Sequence, residues 1–473
     1  MLKTSEESQG VADMAGAITV EQTEIPGLLV VRMPVHADDR GWFKENWQRE
    51  KMLAAGVPDF APVQNNVSYN HKRGVVRGMH TEPWDKFVAI SDGRIYGAWV
   101  DLREGPSFGA TVHFEMGPET AVYVPRGVSN GYQCLTDNVT YTYLVTEHWR
   151  PNQGYPALDL ADPTVAIPWP IPLAESILSE KDRANPALGD VVPMPPKRTL
   201  ILGGDGQLGR ALAAALPEAE AVGREVLDIS DTAALEAWPW QQYGTVINAA
   251  AFTDVDGAES LAGRRQAWEV NAAAPATLAR LSRSLGFTLV HVSTDYVFDG
   301  DLDGEHQEDA LMAPLGVYAQ TKAAGDLAVS TAPRHYLIRT SWVVGDGRNF
   351  VRTMASLAER GVSPTVVDDQ RGRLTFADEL ARAITHLVAS GAPYGLYNVT
   401  NAGPVVSWFD VARRVFELSG RPADDVSPTS TAEYSAGKDM APRPHNSAMS
   451  LERIRSTGFE PEDAWAALER YCG

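Results

Sequence analysis

The hydrophobic rhythm of this chain changes once, and that change divides it into two different folds. From about residue 18 to 170, short apolar runs alternate with polar residues, as in FVAISDGRIYGAWVDL, TVHFEM and NVTYTYLVTEHW, and Gly and Pro punctuate them. A period of two places successive side chains on opposite faces of a strand, so this half is expected to be all β. From residue 198 the pattern becomes an apolar strand, RTLILGG, followed by an Ala/Leu helix, QLGRALAAALP, with further strands GTVINAAA and FTLVHVS set between helical stretches. Strands alternating with helices predict a parallel α/β domain. Between the halves, NPALGDVVPMPPKR carries four prolines and no periodicity and reads as a linker. The expected division is a flexible N terminus over 1–17, a β domain over 18–189, a Pro-rich linker over 190–197 and an α/β domain over 198–473. No internal repeat relates the two halves, and 473 residues are too many for one core.

Composition narrows the partners. A formal charge of −20 repels phosphate backbones over most of the surface, which argues against nucleic acid and makes any basic residue in a pocket more informative. The two cysteines, Cys134 and Cys472, are too few for a disulfide framework and fit a reducing compartment. The first residues have no apolar run of signal-peptide length, and nothing later approaches 18 unbroken apolar residues. A cytoplasmic enzyme with no membrane association is the expectation.

In the α/β half, Gly203, Gly206 and Gly209 follow the first strand with G-x-x-G-x-x-G spacing and open a helix. Glycines there admit a pyrophosphate to the backbone, and the helix N terminus supplies N–H donors and positive dipole; a plain strand-to-helix turn is the ordinary alternative. Asp228 in LDIS lies about where a ribose-facing acid is expected, and Arg224 just before it suits a 2′-phosphate. Asp228 could equally cap a helix, and Arg224 could simply be solvated. Thr294 ends a strand in HVSTDYVFDG, and Tyr318 and Lys322 in YAQTK lie four residues apart, on one face of a helix. Ketone reduction leaves an alkoxide, so it needs an aligned proton donor and a hydroxyl to hold the carbonyl oxygen. Tyr318 and Thr294 fit those roles, with Lys322 expected to lower the phenol's pKa.

The strings GGDGQLGR, NAAAFTDVDGAE, VNAAAPATLA, STDYVFDG, YAQTKAAGD, RTSWVVGDGRNFV, VVDDQRG and APRPHNS resemble dTDP-4-dehydrorhamnose reductases of the extended short-chain dehydrogenase/reductase superfamily over nearly all of 198–455. The resemblance implies NADPH or NADH held by Gly203, Gly206, Gln207, Leu208, Asp228, Ala249, Ala250 and Asn271. It also implies substrate contacts at Thr253, Tyr296, Trp342 and Arg443. Ala319, Gly257 and Leu374 stand where that family commonly has Gly, Lys and Pro.

The β half contains DDRGWFKENW, QNNVSYNHKRGVVRGMH, VDLREGPSFG, VPRGVSNGYQCL, YLVTEHWRP, IPWPI and LSEKD. These resemble dTDP-4-dehydrorhamnose 3,5-epimerases, cupin-type jelly-roll barrels, from residue 20 to about 190. Epimerising the carbons beside a 4-ketone needs a base, a group to stabilise the enolate and an acid on the opposite face. His80 is the candidate base because imidazole titrates near neutral pH. By resemblance Asp182 orients it, Lys86 holds the enolate oxygen and Tyr143 protonates the far face. Arg40, Glu45, Gln64, Asn66 and Arg77 fall at sugar-nucleotide contact positions, and Phe43 and Trp149 at its walls. No His-x-His pair follows the strands, and Asn130 occupies the place of a cupin ligand, so no metal is expected. Asn130 and Gly97 also depart from the epimerase pattern, which commonly has His and Asp there.

The combined expectation is a bifunctional enzyme that epimerises dTDP-4-dehydro-6-deoxyglucose at positions 3 and 5 and then reduces the 4-ketone to dTDP-L-rhamnose. It is expected to form a homodimer through the barrel. Two alternatives stay open: a reductase whose β half survives only as a dimerisation or sugar-binding module, and the same pair of activities on another 4-keto sugar nucleotide or with reduction from the other face to a talose epimer.

Overall fold

The computed structural model describes residues 16–150 and 154–473. They form two compact units that meet in sequence at Pro196 and Lys197. Residues 1–15 of the expected flexible N terminus lie outside the described residues.

In the first unit, alternating apolar strands have closed into two antiparallel sheets. One has six strands, in the order Thr19–Gln22, Leu29–Arg32, Thr120–Val124, Lys86–Asp92, Val139–Val145 and Gln64–Asn70. The other has four: Val76–His80, Val128–Cys134, Ile95–Asp101 and Thr111–Met116. Alternate residues of each point inward, so Val88, Ile90, Val122 and Val124 of the first sheet pack on Ile95, Trp99, Val128 and Tyr132 of the second. Each such apolar side chain contributes roughly 1.5–3 kcal/mol when fully buried. Tyr132 and Tyr141 stack between the sheets at 4.3 Å. This is the jelly-roll sandwich of a cupin.

The Pro-rich segment, expected as a linker, is hydrogen-bonded to the barrel residues beside it. Met194 donates to Leu102 O at 2.8 Å and accepts from Glu104 N at 2.9 Å, and Arg126 binds Pro195 O at 2.8 Å. Proline lacks only its own donor, so Met194 between the prolines keeps both backbone groups and docks on the first unit.

The second unit holds a six-stranded parallel sheet in the order Glu220–Val222, Arg198–Leu202, Tyr243–Asn248, Thr288–Thr294, His335–Thr340 and Gly395–Asn398. Leu200 and Leu202 enter the core on one face and Ile201 the core on the other, each covered by helices. The chain steps outward from Arg198–Leu202 to Glu220–Val222 and then returns to add Tyr243–Asn248 on the opposite side. The crevice beyond the C-terminal ends of Arg198–Leu202 and Tyr243–Asn248 is therefore a topological switch point, where open α/β sheets bind ligands. A smaller lobe has its own core around Val344, Val351, Phe376, Val411 and Phe416.

Candidate active sites

Strand register assembles the first site. Tyr143 lies opposite Asn66 and Val88, and Val145 lies opposite Gln64 and Lys86. Directly paired residues share a face, so Gln64, Asn66, Lys86 and Tyr143 all stand on the inner face of the six-stranded sheet. On the facing sheet, Asn130 pairs directly with His80. The helix Glu180–Arg183, capped by Ser179, brings Asp182 to the same place.

His80 Nε2 lies 2.9 Å from Asp182 Oδ1, which leaves Nδ1 as the nitrogen open to a substrate proton. Burial works against ionisation of Asp182, yet the hydrogen bonds from His80 and Ser179 hold its carboxyl below the usual carboxylate range. Lys86 is 4% exposed, pairs with the Glu82 carboxylate and donates to Asn130 Oδ1 at 2.6 Å. Burial, and next the Glu82 charge, push the Tyr143 phenol up, so it holds its proton. Gln64 donates to Asn66 at 2.8 Å and accepts from the Trp149 backbone, and Arg77 donates to Asn70 at 2.8 Å. Gly97 has a structural reason: a Cβ there would lie 2.4 Å from the Trp99 indole, which fills the space a side chain would take. Three predicted contact residues lie apart from this cluster. Arg40 pairs with Asp38, Glu45 with Lys51, and Phe43 is 64% exposed on the hairpin His36–Asp38 and Gly41–Phe43.

The second site is a cavity of about 920 Å³ at the switch point. Its wall includes Gly203, Gly206, Gln207, Leu208, Arg224, Asp228, Ala249 and Ala250 at one end. Thr253, Thr294, Tyr296, Tyr318, Lys322 and Trp342 line it as well. Gly203 has φ +78°, and a Cβ there would sit 2.7 Å from Ala250 N, so only glycine keeps the floor of the loop open. The helix Gln207–Ala215 starts at Gly206 with no side-chain cap, which leaves its first N–H groups free for an anion. Asp228 accepts from Ser230 N and Oγ and from Arg224 Nε at 2.9 Å. It therefore fixes Arg224, whose side chain is two-thirds exposed.

The three candidate catalytic residues, Thr294, Tyr318 and Lys322, come together here. Thr294 donates to Asp295 at 2.9 Å, and Lys322 donates to Val292 O at 2.7 Å. The expected lowering of the phenol's pKa does not occur in the protein alone. Burial drives Tyr318 upward, opposed only by the Thr294 hydroxyl. Lys322, itself buried, is pushed down to about 8 with the Asp326 carboxylate opposing. A phenol that keeps its proton is still a donor to an alkoxide, a far stronger base.

Asn271 and Arg443 stand behind the wall. Asn271 is 1% exposed in the π-helical turn Glu269–Ala273, and its amide accepts from Phe252 N at 2.9 Å and donates to Phe252 O at 3.0 Å. It thereby pins the loop that carries Thr253. Arg443 binds Asp256 at 2.8 Å and the Ala441 carbonyl. Sequence reading missed Asp295, Ser341 and Trp408, which also line the cavity. Trp408 stacks on Trp342 at 3.8 Å. Its only local sign was the capping box of Ser407 and Asp410, which marks a helix start and no site. The departures Ala319 and Leu374 are buried packing positions, and Gly257 N bonds to Asp254. Among the described residues no group of His, Cys, Asp and Glu is arranged to hold a metal ion, and no helix is long and apolar enough to cross a membrane.

Comparison with known proteins matches both units. The dTDP-4-dehydrorhamnose 3,5-epimerase family matches residues 22–190, and the RmlD substrate binding domain family matches residues 197–472. The RmlC homolog of Streptococcus pyogenes is 46% identical over 184 residues, 37% of this chain and 92% of that protein. The dTDP-4-dehydrorhamnose reductase of Mycobacterium tuberculosis is 41% identical over 283 residues, 57% of this chain and 90% of that protein. The crystal structure of the Bacillus anthracis dTDP-4-dehydrorhamnose reductase in complex with NADP is 32% identical and superposes with a TM-score of 0.54, covering 58% of this chain and 98% of that one. The chain therefore belongs to the RmlD substrate binding domain family through residues 197–472 and to the dTDP-4-dehydrorhamnose 3,5-epimerase family through residues 22–190.

Proposed function

We propose that this protein carries out two consecutive steps of dTDP-L-rhamnose synthesis: 3,5-epimerisation of dTDP-4-dehydro-6-deoxyglucose, then NADPH-dependent reduction of the 4-ketone. The observation that carries this reading is the presence of two complete proton-handling sets in one chain. They are the His80–Asp182 pair with Lys86 and Tyr143, and Thr294 with Tyr318 and Lys322.

In the barrel, the ketone makes the neighbouring C–H groups acidic. His80 Nδ1 removes the proton while its Nε2–H stays on Asp182, which stabilises the imidazolium that forms. Lys86 offers its ammonium to the enolate oxygen, and Tyr143 delivers a proton to the opposite face. Arg77, Gln64 and Asn66, with Arg40, Glu45, Phe43 and Trp149, would bind the nucleotide and wall the pocket. A homodimer through the barrel is supported by the edge strand Gln64–Asn70, which leaves Val67 64% and Tyr69 49% exposed.

In the crevice, the glycine cradle and the uncapped helix start fit a dinucleotide diphosphate, with Gly203, Gly206, Gln207, Leu208, Ala249 and Ala250 around it. Arg224, braced by Asp228, suits the 2′-phosphate of NADPH. When bound, the reduced nicotinamide supplies the hydride. Tyr318 gives its proton to the resulting alkoxide, Thr294 holds that oxygen, and Lys322 keeps positive charge beside them. Thr253, Tyr296, Trp342 and Arg443 would seat the sugar nucleotide. The product is a donor for cell wall polysaccharide, made in the cytoplasm.

The ketone is needed for epimerisation and destroyed by reduction, so the order of steps is fixed. The test supplies dTDP-4-dehydro-6-deoxyglucose and NADPH, follows nicotinamide absorbance and identifies the sugar by NMR, with His80→Asn in parallel. Wild type should make dTDP-L-rhamnose alone, and the variant only with a separate epimerase added. A wild type that itself needs the added epimerase would leave the barrel as a binding module.

A further inference from the structure

Asn130 stands where an epimerase of this kind commonly has histidine, and the structure gives it work of its own. Its Oδ1 accepts from Lys86 Nζ at 2.6 Å, and its Nδ2 reaches the Tyr141 hydroxyl at 3.4 Å. Lys86 is 4% exposed and its other partner is Glu82, four residues earlier. Asn130 comes from the four-stranded sheet and Lys86 from the six-stranded one, so this hydrogen bond crosses the barrel interior. Tyr141 stacks on Tyr132 at 4.3 Å and lies 5.8 Å from Tyr143. One amide thus touches the lysine and the tyrosine ladder that leads to the far-face acid, while its own backbone pairs with His80.

We propose that Asn130 is a positioning residue of the epimerase: an uncharged tether that holds the Lys86 ammonium in line with the enolate oxygen and does not itself titrate. Without it, Lys86 would be drawn toward Glu82 alone, in the segment that joins the two sheets. A neutral amide gives direction without adding charge, and Lys86 stays available to the negative oxygen that forms. A histidine in its place accepts from Lys86 only when neutral. Once protonated it has two donors and no acceptor, and it repels the ammonium. The titratable and charged groups around this point are His80 and Arg77 on the paired strand and Asp101, held by Arg103, on the other neighbour. Tyr132 lies on the same strand, Lys86, Tyr141 and Tyr143 face it from the other sheet, Glu82 lies in the segment between the sheets, and Asp182 is bonded to His80. Of these, His80 is the only imidazole.

The inference rests on the epimerase reading and is separable from it. The measurement is exchange of solvent deuterium into C3 and C5 of the 4-keto sugar nucleotide, on the full chain without NADPH, across pH 5 to 9. Near-UV circular dichroism and the thermal melt of each variant report whether the barrel is folded, and reduction of pre-epimerised substrate reports the amount of intact chain. Asn130→Leu should lower the exchange rate about 100-fold with KM little changed, as expected for a misplaced catalytic group. Asn130→His should recover most of the rate at pH 8 and fall with slope two on the acid side, where wild type falls with slope one. An Asn130→Leu variant that exchanges like wild type, or an Asn130→His profile that superimposes on the wild-type profile, overturns the tether. If Asn130→Leu fails to fold, the Asn130→His profile decides alone. Absence of exchange in wild type would instead sink the epimerase reading.

Discussion

The barrel and the crevice solve the same problem, moving a proton at a sugar carbon or oxygen, with a different balance of pairing and burial. In the barrel the base and the cation are placed by pairing, His80 by Asp182 and Lys86 by Glu82 and Asn130, with the His80 side chain 40% exposed, and burial acts on the Tyr143 phenol. In the crevice they are tuned by desolvation: burial raises Tyr318, and it lowers Lys322 to about 8. Antiparallel strands explain the first, because register places side chains from several strands face to face. Parallel strands explain the second, because their ends open together onto one helix whose inner face is shut away from water. Enolate chemistry needs a base and an acid on two sides of a ring, which a barrel interior supplies. Hydride acceptance needs one donor beside a flat cofactor site, which the C-terminal ends of parallel strands and a helix supply.

The contrast breaks most sharply on His80→Asn. Removing the base should lower deuterium exchange by about 10⁴-fold, the upper range for general acid–base catalysis, while reduction of pre-epimerised substrate stays at the wild-type rate. Tyr318→Phe should do the converse: reduction falls about 10³-fold, exchange is untouched, and NADPH quenching of protein fluorescence still reports binding. Gly203→Ala should weaken NADPH by about 5- to 30-fold in a fluorescence titration. The left-handed backbone and the overlap with Ala250 N together cost about 1–2 kcal/mol. The smallest effect is a pH limb. With Lys322 pushed down to about 8, its charged form is lost as pH rises through that value. Reductase kcat/KM should therefore fall by about half near pH 8 and continue down above it, because this profile reports the free enzyme. A reductase profile flat to pH 9 would show that the neighbouring Asp326 carboxylate outweighs burial and that the crevice, too, is tuned by pairing.

Much of this was legible in the chain. The period-two runs and the strand–helix alternation named the two folds, because periodicity is a property of consecutive residues. The spacing of Gly203, Gly206 and Gly209 and the four-residue step from Tyr318 to Lys322 named their motifs for the same reason. The Pro-rich segment was legible as a linker, but composition does not show that Met194 bonds to Leu102 and Glu104. Lys322 was expected to set the phenol, and burial, which no local string reports, set it instead. Asn271, implied as a cofactor residue by resemblance, sits in a π-helical turn with its amide on Phe252, a pairing that the sequence did not show.

By itself, the sequence determined what depends on near neighbours: where strands and helices run, which loop admits a diphosphate, and which residue types are on hand for acid–base work. The tertiary structure alone decided what depends on distant pairing. It set His80 on a carboxylate 102 residues away, laid the Trp99 ring over Gly97 and turned Asn130 toward Lys86 across two sheets. The reason is that hydrogen-bond partners and burial are fixed by packing between segments that the chain order keeps far apart.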